Sequence, residues 1–141
     1  MRMAGVFLRK DQVFITGLSQ AKAGFWIVIG PVWTASLQDD ILGEIIIKAL
    51  AHSKSNIDLD SNPYVRASIG SGLLKASGAK SLKQFENNSR NVLIREDCEY
   101  VTLTPRLADL NMNTVGQGEI SCKLDRNALT YCLRQALELA V

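Results

Sequence analysis

The stretch Val6-Phe7-Leu8-Arg9-Lys10-Asp11-Gln12-Val13-Phe14-Ile15-Thr16 contains two short runs rich in β-branched and aromatic residues, at 6–9 and 12–16. Two such runs, separated by a charged pair, predict a β-hairpin. The pattern returns at an offset of 86 residues, where Val92-Leu93-Ile94-Arg95-Glu96-Asp97 aligns with residues 6–11 and Tyr100-Val101-Thr102 aligns with residues 14–16. We therefore expect a second hairpin, with strands at 92–95 and 99–104.

An amphipathic helical pattern follows each hairpin. Apolar residues recur at helical spacing from Leu37 to about His52, with Ser36 as the predicted N-cap, and a second stripe runs from Leu124 nearly to the C-terminus. When the offset between the two halves is increased by one residue, the two apolar stripes superpose. The pattern indicates a duplicated domain with units at 5–52 and 91–140, and two unrelated amphipathic units are the alternative.

The longest apolar stretch is Gly24 to Trp33, and its segment Phe25-Trp26-Ile27-Val28-Ile29 has no polar residue. An unbroken apolar strand is typical of the middle of a sheet that is covered on both faces. We therefore expect a strand at 25–33 near the sheet centre, with Trp26 or Ile27 buried, and a weaker strand at 119–123. Either one long helix covers each face, or both helices cover one face.

The segment 53–90 is polar and rich in Gly and Ser, which predicts a connector with little core of its own. Within it, Ser81 and Gln84 match a capping box, so a short helix is expected from Leu82 to about Asn87. Ile47 lies opposite the core stripe of the first helix; either the connector covers it or it belongs to an interaction surface. Together the elements predict a single α+β domain over residues 1–141, in which two long helices pack on a twisted, largely antiparallel sheet.

Composition excludes several classes of protein. The 141 residues are 47% hydrophobic and 21% charged, with a formal net charge of +2. These values exclude a disordered chain and a strong field for nucleic acid. The apolar stretch at 24–33 is too short to span a bilayer, and charges at Arg9 and Lys10 interrupt any N-terminal signal pattern. We expect a cytoplasmic protein whose three cysteines are reduced.

The sequence carries no catalytic, cofactor or metal motif that we can identify. His52 is the only histidine and lies at a predicted helix end, where a surface role is expected. The Gly70-Ser71-Gly72 stretch lacks the spacing of a phosphate loop. We therefore expect no enzyme activity, no cofactor and no metal site.

Several blocks of the sequence, in their order along the chain, resemble one family. They are Gly24-Phe25-Trp26-Ile27-Val28-Ile29-Gly30-Pro31-Val32, then Leu42-Gly43 with Ala49-Leu50-Ala51-His52-Ser53, then Leu73-Leu74-Lys75-Ala76-Ser77-Gly78-Ala79-Lys80-Ser81-Leu82-Lys83-Gln84-Phe85, and Thr104-Pro105-Arg106 followed by a C-terminal amphipathic helix. The chain is thus similar to the immunity proteins of bacterial contact-dependent growth inhibition systems, the CdiI family.

The resemblance implies a protein that binds the C-terminal toxin domain of its own strain's secreted effector, commonly a nuclease, and blocks it. Such an inhibitor needs a rigid complementary surface. It has a protein partner, with no membrane, nucleic acid or small-molecule substrate expected. The alternative is a small RNA-binding module that uses the basic stretch from Lys75 to Arg90. The cations of that stretch are Lys75, Lys80, Lys83 and Arg90.

A nuclease is expected to present a basic cleft, which an inhibitor would fill with carboxylates. Two acidic clusters lie away from helix ends, one in the connector and one around the second hairpin. We expect the hairpin carboxylates to be solvent-exposed. The candidate toxin-binding residues are Asp58, Asp60, Glu96, Asp97 and Glu99.

Overall fold

A computed structural model describes residues 1–106 and 118–140 of the chain. Its strands are β1 (Arg2–Arg9), β2 (Gln12–Gln20), β3 (Trp26–Ile27), β4 (Val32–Ser36), β5 (Arg90–Asp97), β6 (Tyr100–Arg106) and β7 (Ile120–Lys123). Its helices are α1 (Leu42–Ala51), α2 (Pro63–Ala67), α3 (Ser71–Ser77), α4 (Leu82–Asn87) and α5 (Arg126–Leu139). Residues 107–117, which belong to the predicted second unit, lie outside the described residues.

In the described ranges, the strands form one seven-stranded sheet with the order β3-β2-β1-β5-β6-β7, and β4 shares the outer edge of β2 with β3. All pairings between these strands are antiparallel. The two predicted hairpins therefore lie side by side, with β1 and β5 in the middle. The α+β class and the largely antiparallel sheet predicted from the sequence are confirmed.

The register of β1 on β5 determines which side chains meet the long helices. Val6 lies opposite Val92, and because side chains alternate along a strand, the even-numbered residues of both strands point to one face, which we name the helix face. Both α1 and α5 pack there, so the two long helices cover the same face. The buried core on this face includes Ala4, Val6, Val13, Ile15, Leu42, Ile46, Leu50, Val92, Ile94, Val101, Leu103, Leu129, Leu133 and Leu137.

The prediction of a central strand at residues 25–33 is wrong. Only β3 and β4 form within this stretch, and both lie at the edge of the sheet. Pro31 has no N–H for a ladder, and its carbonyl oxygen accepts a hydrogen bond from Thr16 Oγ1 at 3.1 Å. Ile27 is buried as expected, but Phe25 is 50% exposed. The turn at Pro31 therefore divides the apolar run into two short edge strands.

Helix α1 begins later than the predicted Leu37, and Ser36 ends β4 instead of capping the helix. The N–H of Ser36 donates to Asp39 Oδ2 at 2.9 Å. Arg134 of α5 donates from Nε to the carbonyl oxygen of Leu37 at 3.0 Å. These bonds hold residues 37–41 in a turn, so the first helical residue comes after Ile41. The predicted end near His52 is confirmed.

The other two predicted helices each begin directly after an N-cap residue whose side chain accepts a backbone hydrogen bond. Ser81 Oγ accepts the N–H of Gln84 at 3.1 Å, which confirms the predicted α4. The Gln84 side chain, however, accepts the N–H of Lys80 at 2.9 Å, one residue before the cap. Helix α5 starts just after the predicted Leu124, because Asp125 Oδ2 accepts the N–H of Ala128 at 2.9 Å.

The connector at 53–90 has little core of its own, as predicted, because Leu73 and Phe85 are its buried apolar residues. Its helices α3 and α4 lie on the face opposite the helix face, which we name the second face. There Leu73 and Phe85 pack with Phe14 of β2. The ring centroid of Phe85 lies 5.1 Å from that of Phe7 and 5.6 Å from that of Phe14. The small apolar content of the connector is thus concentrated where it meets the sheet.

Strands β1 and β5 are related by a local twofold axis that passes through the Val6–Val92 pair. This rotation places each β1 residue on the β5 residue that comes 86 positions later in the chain. The sequence repeat has the same offset. Helix α1 packs on β1 and β2, and α5 packs on β5, β6 and β7. The two hairpins differ in length. When the turn at 10–11 is shifted by that offset, it falls before the second turn, which lies at 98–99. The duplication itself stays a prediction.

Two further expectations concern the exposure of Ile47 and the length of the helices. Ile47 on α1 is 36% exposed, so the connector does not bury it. No helix within residues 1–106 and 118–140 is long and apolar enough to cross a membrane.

The close contact between α1 and α5 depends on Gly43. A Cβ atom at this position would lie 1.8 Å from the backbone oxygen of Arg126. The buried hydroxyl of Thr130 accepts the N–H of Gly43 at 2.8 Å and donates to the Arg126 oxygen at 2.9 Å. The two helices therefore meet backbone to backbone, with one hydroxyl between them.

Gly43→Ala should lower the free energy of unfolding by about 3 kcal/mol, because the added methyl group forces the helices apart. Gly30→Ala is the matched control, since nothing lies within 4 Å of a Cβ at Gly30, and it should change that free energy by less than about 0.5 kcal/mol. Urea unfolding followed by circular dichroism measures both variants. Equal stability of the two would contradict the backbone contact.

Candidate functional site

The topology brings both predicted acidic clusters to one end of the sheet. Strand β1 begins at this end, and β2 and β5, both antiparallel to β1, end there. Beyond β2, Ala21 bridges to Ile57, which precedes Asp58. Beyond β5, the turn at 98–99 leads into β6. The carboxylates that share this end are Asp58, Asp60, Glu96, Asp97 and Glu99.

Asp58 is held inside its own turn. Its Oδ1 accepts the backbone N–H groups of Asp60 at 3.1 Å and Ser61 at 3.2 Å, and its Oδ2 lies 3.4 Å from Lys22 Nζ. The pKa of Asp58 is lowered to about 2. The largest cause is a hydrogen bond from the Ser61 side chain, and the hydrogen bond from the Ser61 backbone and the charge of Lys22 act in the same direction. Asp58 therefore shapes the loop, whereas the Asp60 side chain is 98% exposed.

Glu96 and Asp97 are neighbours in sequence but point to opposite faces of the sheet. Glu96 accepts two hydrogen bonds from Arg2, at 2.5 Å from Nε and 2.6 Å from Nη2, and its side chain is only 10% exposed. Asp97 lies on the second face, where its Oδ2 is 3.3 Å from Arg95 Nε. The expectation that the hairpin carboxylates are all exposed is wrong for Glu96, because a strand alternates its side chains.

Around Asp97 the second face is open to solvent. Tyr100 lies opposite Asp97, and Lys123 lies opposite Tyr100. The Tyr100 side chain is 54% exposed. We name this region, with its turn, the hairpin-end surface. Its members are Arg95, Asp97, Cys98, Glu99, Tyr100, Thr102, Ser121 and Lys123.

Sequence reasoning missed Tyr100 and Lys123 as site residues, although a signal for them existed. At the start of β6 the exposed Tyr100 and half-buried Thr102 alternate with the buried Val101 and Leu103, a period of two that predicts one solvated face. Because Arg95 pairs with Asp97 and Lys123 lies on the other side of Tyr100, the hairpin-end surface carries both signs of charge. It is not the acidic patch expected from the sequence.

The basic stretch considered for RNA binding is exposed but lacks a stacking platform. Phe85, the aromatic residue in this stretch, is fully buried. The Arg9 guanidinium covers its ring, 5.3 Å from the centroid. A buried ring cannot stack on a base, so the geometry does not favour RNA. The exposed cations are Lys75, Lys80, Lys83 and Arg90.

His52 and Cys122 have packed environments that explain them structurally. The His52 ring packs on Trp33, with 5.4 Å between ring centroids. Burial raises the pKa of the Cys122 thiol to about 12, so this side chain stays protonated. Cys98 is exposed in the hairpin turn. Within the part of the chain that the structure describes, no three His, Cys, Asp or Glu side chains group as metal ligands.

Two solved structures share this arrangement of paired hairpins and helices. One is a protein of unknown function from Neisseria meningitidis, with a TM-score of 0.76 and 16% identity over 99% of this chain and 95% of that chain. The other is a chain of the CdiA-CT/CdiI toxin and immunity complex from Yersinia pseudotuberculosis, with a TM-score of 0.68 and 18% identity over 97% of this chain and 95% of that chain. No family model and no curated protein matches the sequence. At these identities the likeness establishes a shared fold.

Glu96→Lys should lower the free energy of unfolding by about 1–2 kcal/mol, because it removes the partner of Arg2 and places two cations together. Asp97→Lys makes the same charge change one residue away and should alter that free energy by less than about 0.5 kcal/mol. Urea denaturation of both variants provides the comparison. Equal losses would show that Glu96 does not hold the sheet end.

The Asp58 carboxyl should titrate near pH 2 in an NMR titration, and the amide signals of Asp60 and Ser61 should shift over the same range. Because its pKa is lower in the folded than in the unfolded state, at about 3.9, the stabilisation by Asp58 is complete above about pH 4 and is lost as the pH falls towards 2. Ser61→Ala should raise the midpoint towards the ordinary value. An unchanged midpoint would contradict the role of Ser61.

Proposed function

We propose that this protein is an immunity protein that binds the C-terminal toxin domain, a nuclease, of a contact-dependent growth inhibition effector in the cytoplasm. Its fold is that of a component of a toxin and immunity complex, and the match covers 97% of this chain. The blocks of sequence that resemble the CdiI family support the same role. The protein acts by binding alone, with the cognate toxin as its partner.

The observation that carries the proposal is the hairpin-end surface, where an exposed tyrosine stands beside carboxylates on rigid strands. Tyrosine is enriched among the residues that dominate protein interfaces. The ladders on both sides of β5 and β6 hold the surface in one conformation before binding, which reduces the entropy lost on association. Asp97 and Glu99 supply negative charge to a basic cleft, and Arg95 and Lys123 restrict which partners fit.

The five candidate carboxylates divide into two roles under this proposal. Asp60, Asp97 and Glu99 have exposed side chains and contact the toxin. Asp58 and Glu96 support them, since one shapes the connector loop and the other is bound by Arg2. A tight inhibitor contributes about 20–30 residues to its interface, so the contact extends beyond the hairpin end.

Co-expression with the reading frame immediately upstream tests the role. We expect rescue from the toxin and a complex that co-purifies, with a dissociation constant on the order of nanomolar. The double variant Asp97→Lys with Glu99→Lys should slow association and weaken the complex at least about tenfold. Maleimide should alkylate Cys98 more slowly in the complex, because Cys98 lies between the two carboxylates.

The control is Asp11→Lys with Glu138→Lys, which makes the same charge change at the opposite end of the sheet. It should leave affinity within about twofold, since rim charges act locally at physiological salt. Growth arrest despite expression of the folded protein would refute the immunity role. Retention on RNA at low salt and release at high salt would favour the alternative instead.

A further inference from the structure

Two thiol groups meet between β7 and α5. Cys122 of β7 lies opposite Val101 of β6, so its buried side chain points to the helix face. Cys132 of α5 lies one helical turn from the buried residues Leu129 and Ala136 and packs against the same core. A hydrogen bond joins the Cys122 and Cys132 thiols. The fold therefore pairs a cysteine of a strand with a cysteine of a helix.

The two thiols of this pair differ in their access to solvent. Cys122 is buried, and its thiol also donates a hydrogen bond to the carbonyl oxygen of Lys123 at 3.2 Å. Cys132 is only partly buried. A reagent in solution therefore reaches Cys132 before it reaches Cys122. The exposed Cys98, in the turn between β5 and β6, provides an internal reference for a fully accessible thiol.

We propose that Cys122 and Cys132 are a redox-sensitive pair, which a small-molecule disulfide such as oxidised glutathione converts into a disulfide bond between β7 and α5. The Cys132 thiol loses its proton and attacks one sulfur of the oxidant, and the first glutathione leaves and takes up a proton. Cys122 then loses its proton, attacks Cys132 Sγ of the mixed disulfide and releases the second glutathione. Two protein thiols are oxidised, and one oxidant molecule is reduced to two thiols.

The environment of the pair determines its rate of oxidation. Burial, followed by the hydrogen bond with Cys132, raises the pKa of the Cys122 thiol, and because the thiolate is the nucleophile, the second step is slow. The contact between the two side chains acts in the opposite direction, since it holds the reacting sulfur atoms together. We therefore expect a dithiol in a reducing cytoplasm and a disulfide under oxidising conditions.

The bond would restrain a strand that belongs to the hairpin-end surface. Strand β7 has four residues and stands at one end of the strand order. Ser121 and Lys123, on either side of Cys122, are members of that surface. A link from Cys122 to α5 therefore fixes one border of the surface. The oxidation itself does not depend on the immunity role.

The test is oxidation of the folded full-length protein by excess oxidised glutathione, followed by intact mass measurement and peptide mapping. Cys98 should gain one glutathione. The pair should lose two hydrogen atoms and carry no glutathione, and mapping should show Cys122 linked to Cys132. Absence of this link when Cys98 is fully modified, or glutathione on both members of the pair, would overturn the proposal.

Two variants separate the pair from the exposed thiol. Cys98→Ser is the matched control, because it should remove the glutathione adduct and leave the link between Cys122 and Cys132 unchanged. Cys132→Ser should abolish the link and leave Cys122 unmodified, since Cys122 is buried. Modification of Cys122 as fast as Cys98 in Cys132→Ser would refute the order of the two steps. If Cys132→Ser does not fold, the link measured in Cys98→Ser decides the proposal.

Hydrogen exchange followed by mass spectrometry measures the restraint on β7. The amides of β7 should exchange at least about tenfold more slowly in the oxidised protein, because the bond lowers the entropy of the locally opened state. Equal exchange in the two forms would contradict the restraint. These measurements use this chain alone, so a failure of the immunity role leaves them unaffected.

Discussion

The pairing of β1 with β5 is the constraint on which the rest of the structure depends. With Val6 opposite Val92, the even-numbered residues of both strands point to the helix face, where the apolar ones enter the core, and the odd-numbered ones line the second face. A slip of one residue would exchange the faces and bury polar side chains. The same register places Glu96 against Arg2 and leaves Asp97 exposed, so it determines which carboxylates are available to a partner.

The helices consolidate this register from one side. Gly43 and Thr130 let α1 and α5 approach closely over β1 and β5, so that the apolar stripes of both helices close a single core. On the other side the connector covers only part of the sheet, through Phe85 and its aromatic neighbours. The part that remains uncovered carries the hairpin-end surface. The asymmetry of the covering layers thus leaves the hairpin end of the second face exposed.

The hairpin-end surface combines charges of both signs, which suits selective recognition more than general attraction. Arg95 lies beside Asp97, and Lys123 lies opposite Tyr100. Long-range steering is weak for a chain with a net charge of +2. Under the proposed role, affinity would come from close complementarity around Tyr100 and the exposed carboxylates. A surface with charges of both signs can reject wrong partners through mismatched charges.

The sequence by itself determined the local elements: the hairpin period at residues 6–16 and its repetition, the apolar stripes of the two long helices, and the cap at Ser81. Each depends on neighbouring residues, and periodicity records which side of an element is buried. Tertiary structure alone decided that the apolar run at 25–33 lies at an edge and that Glu96 is enclosed by Arg2. These outcomes depend on which distant strands pair and in which register, and local propensity carries no information about that choice.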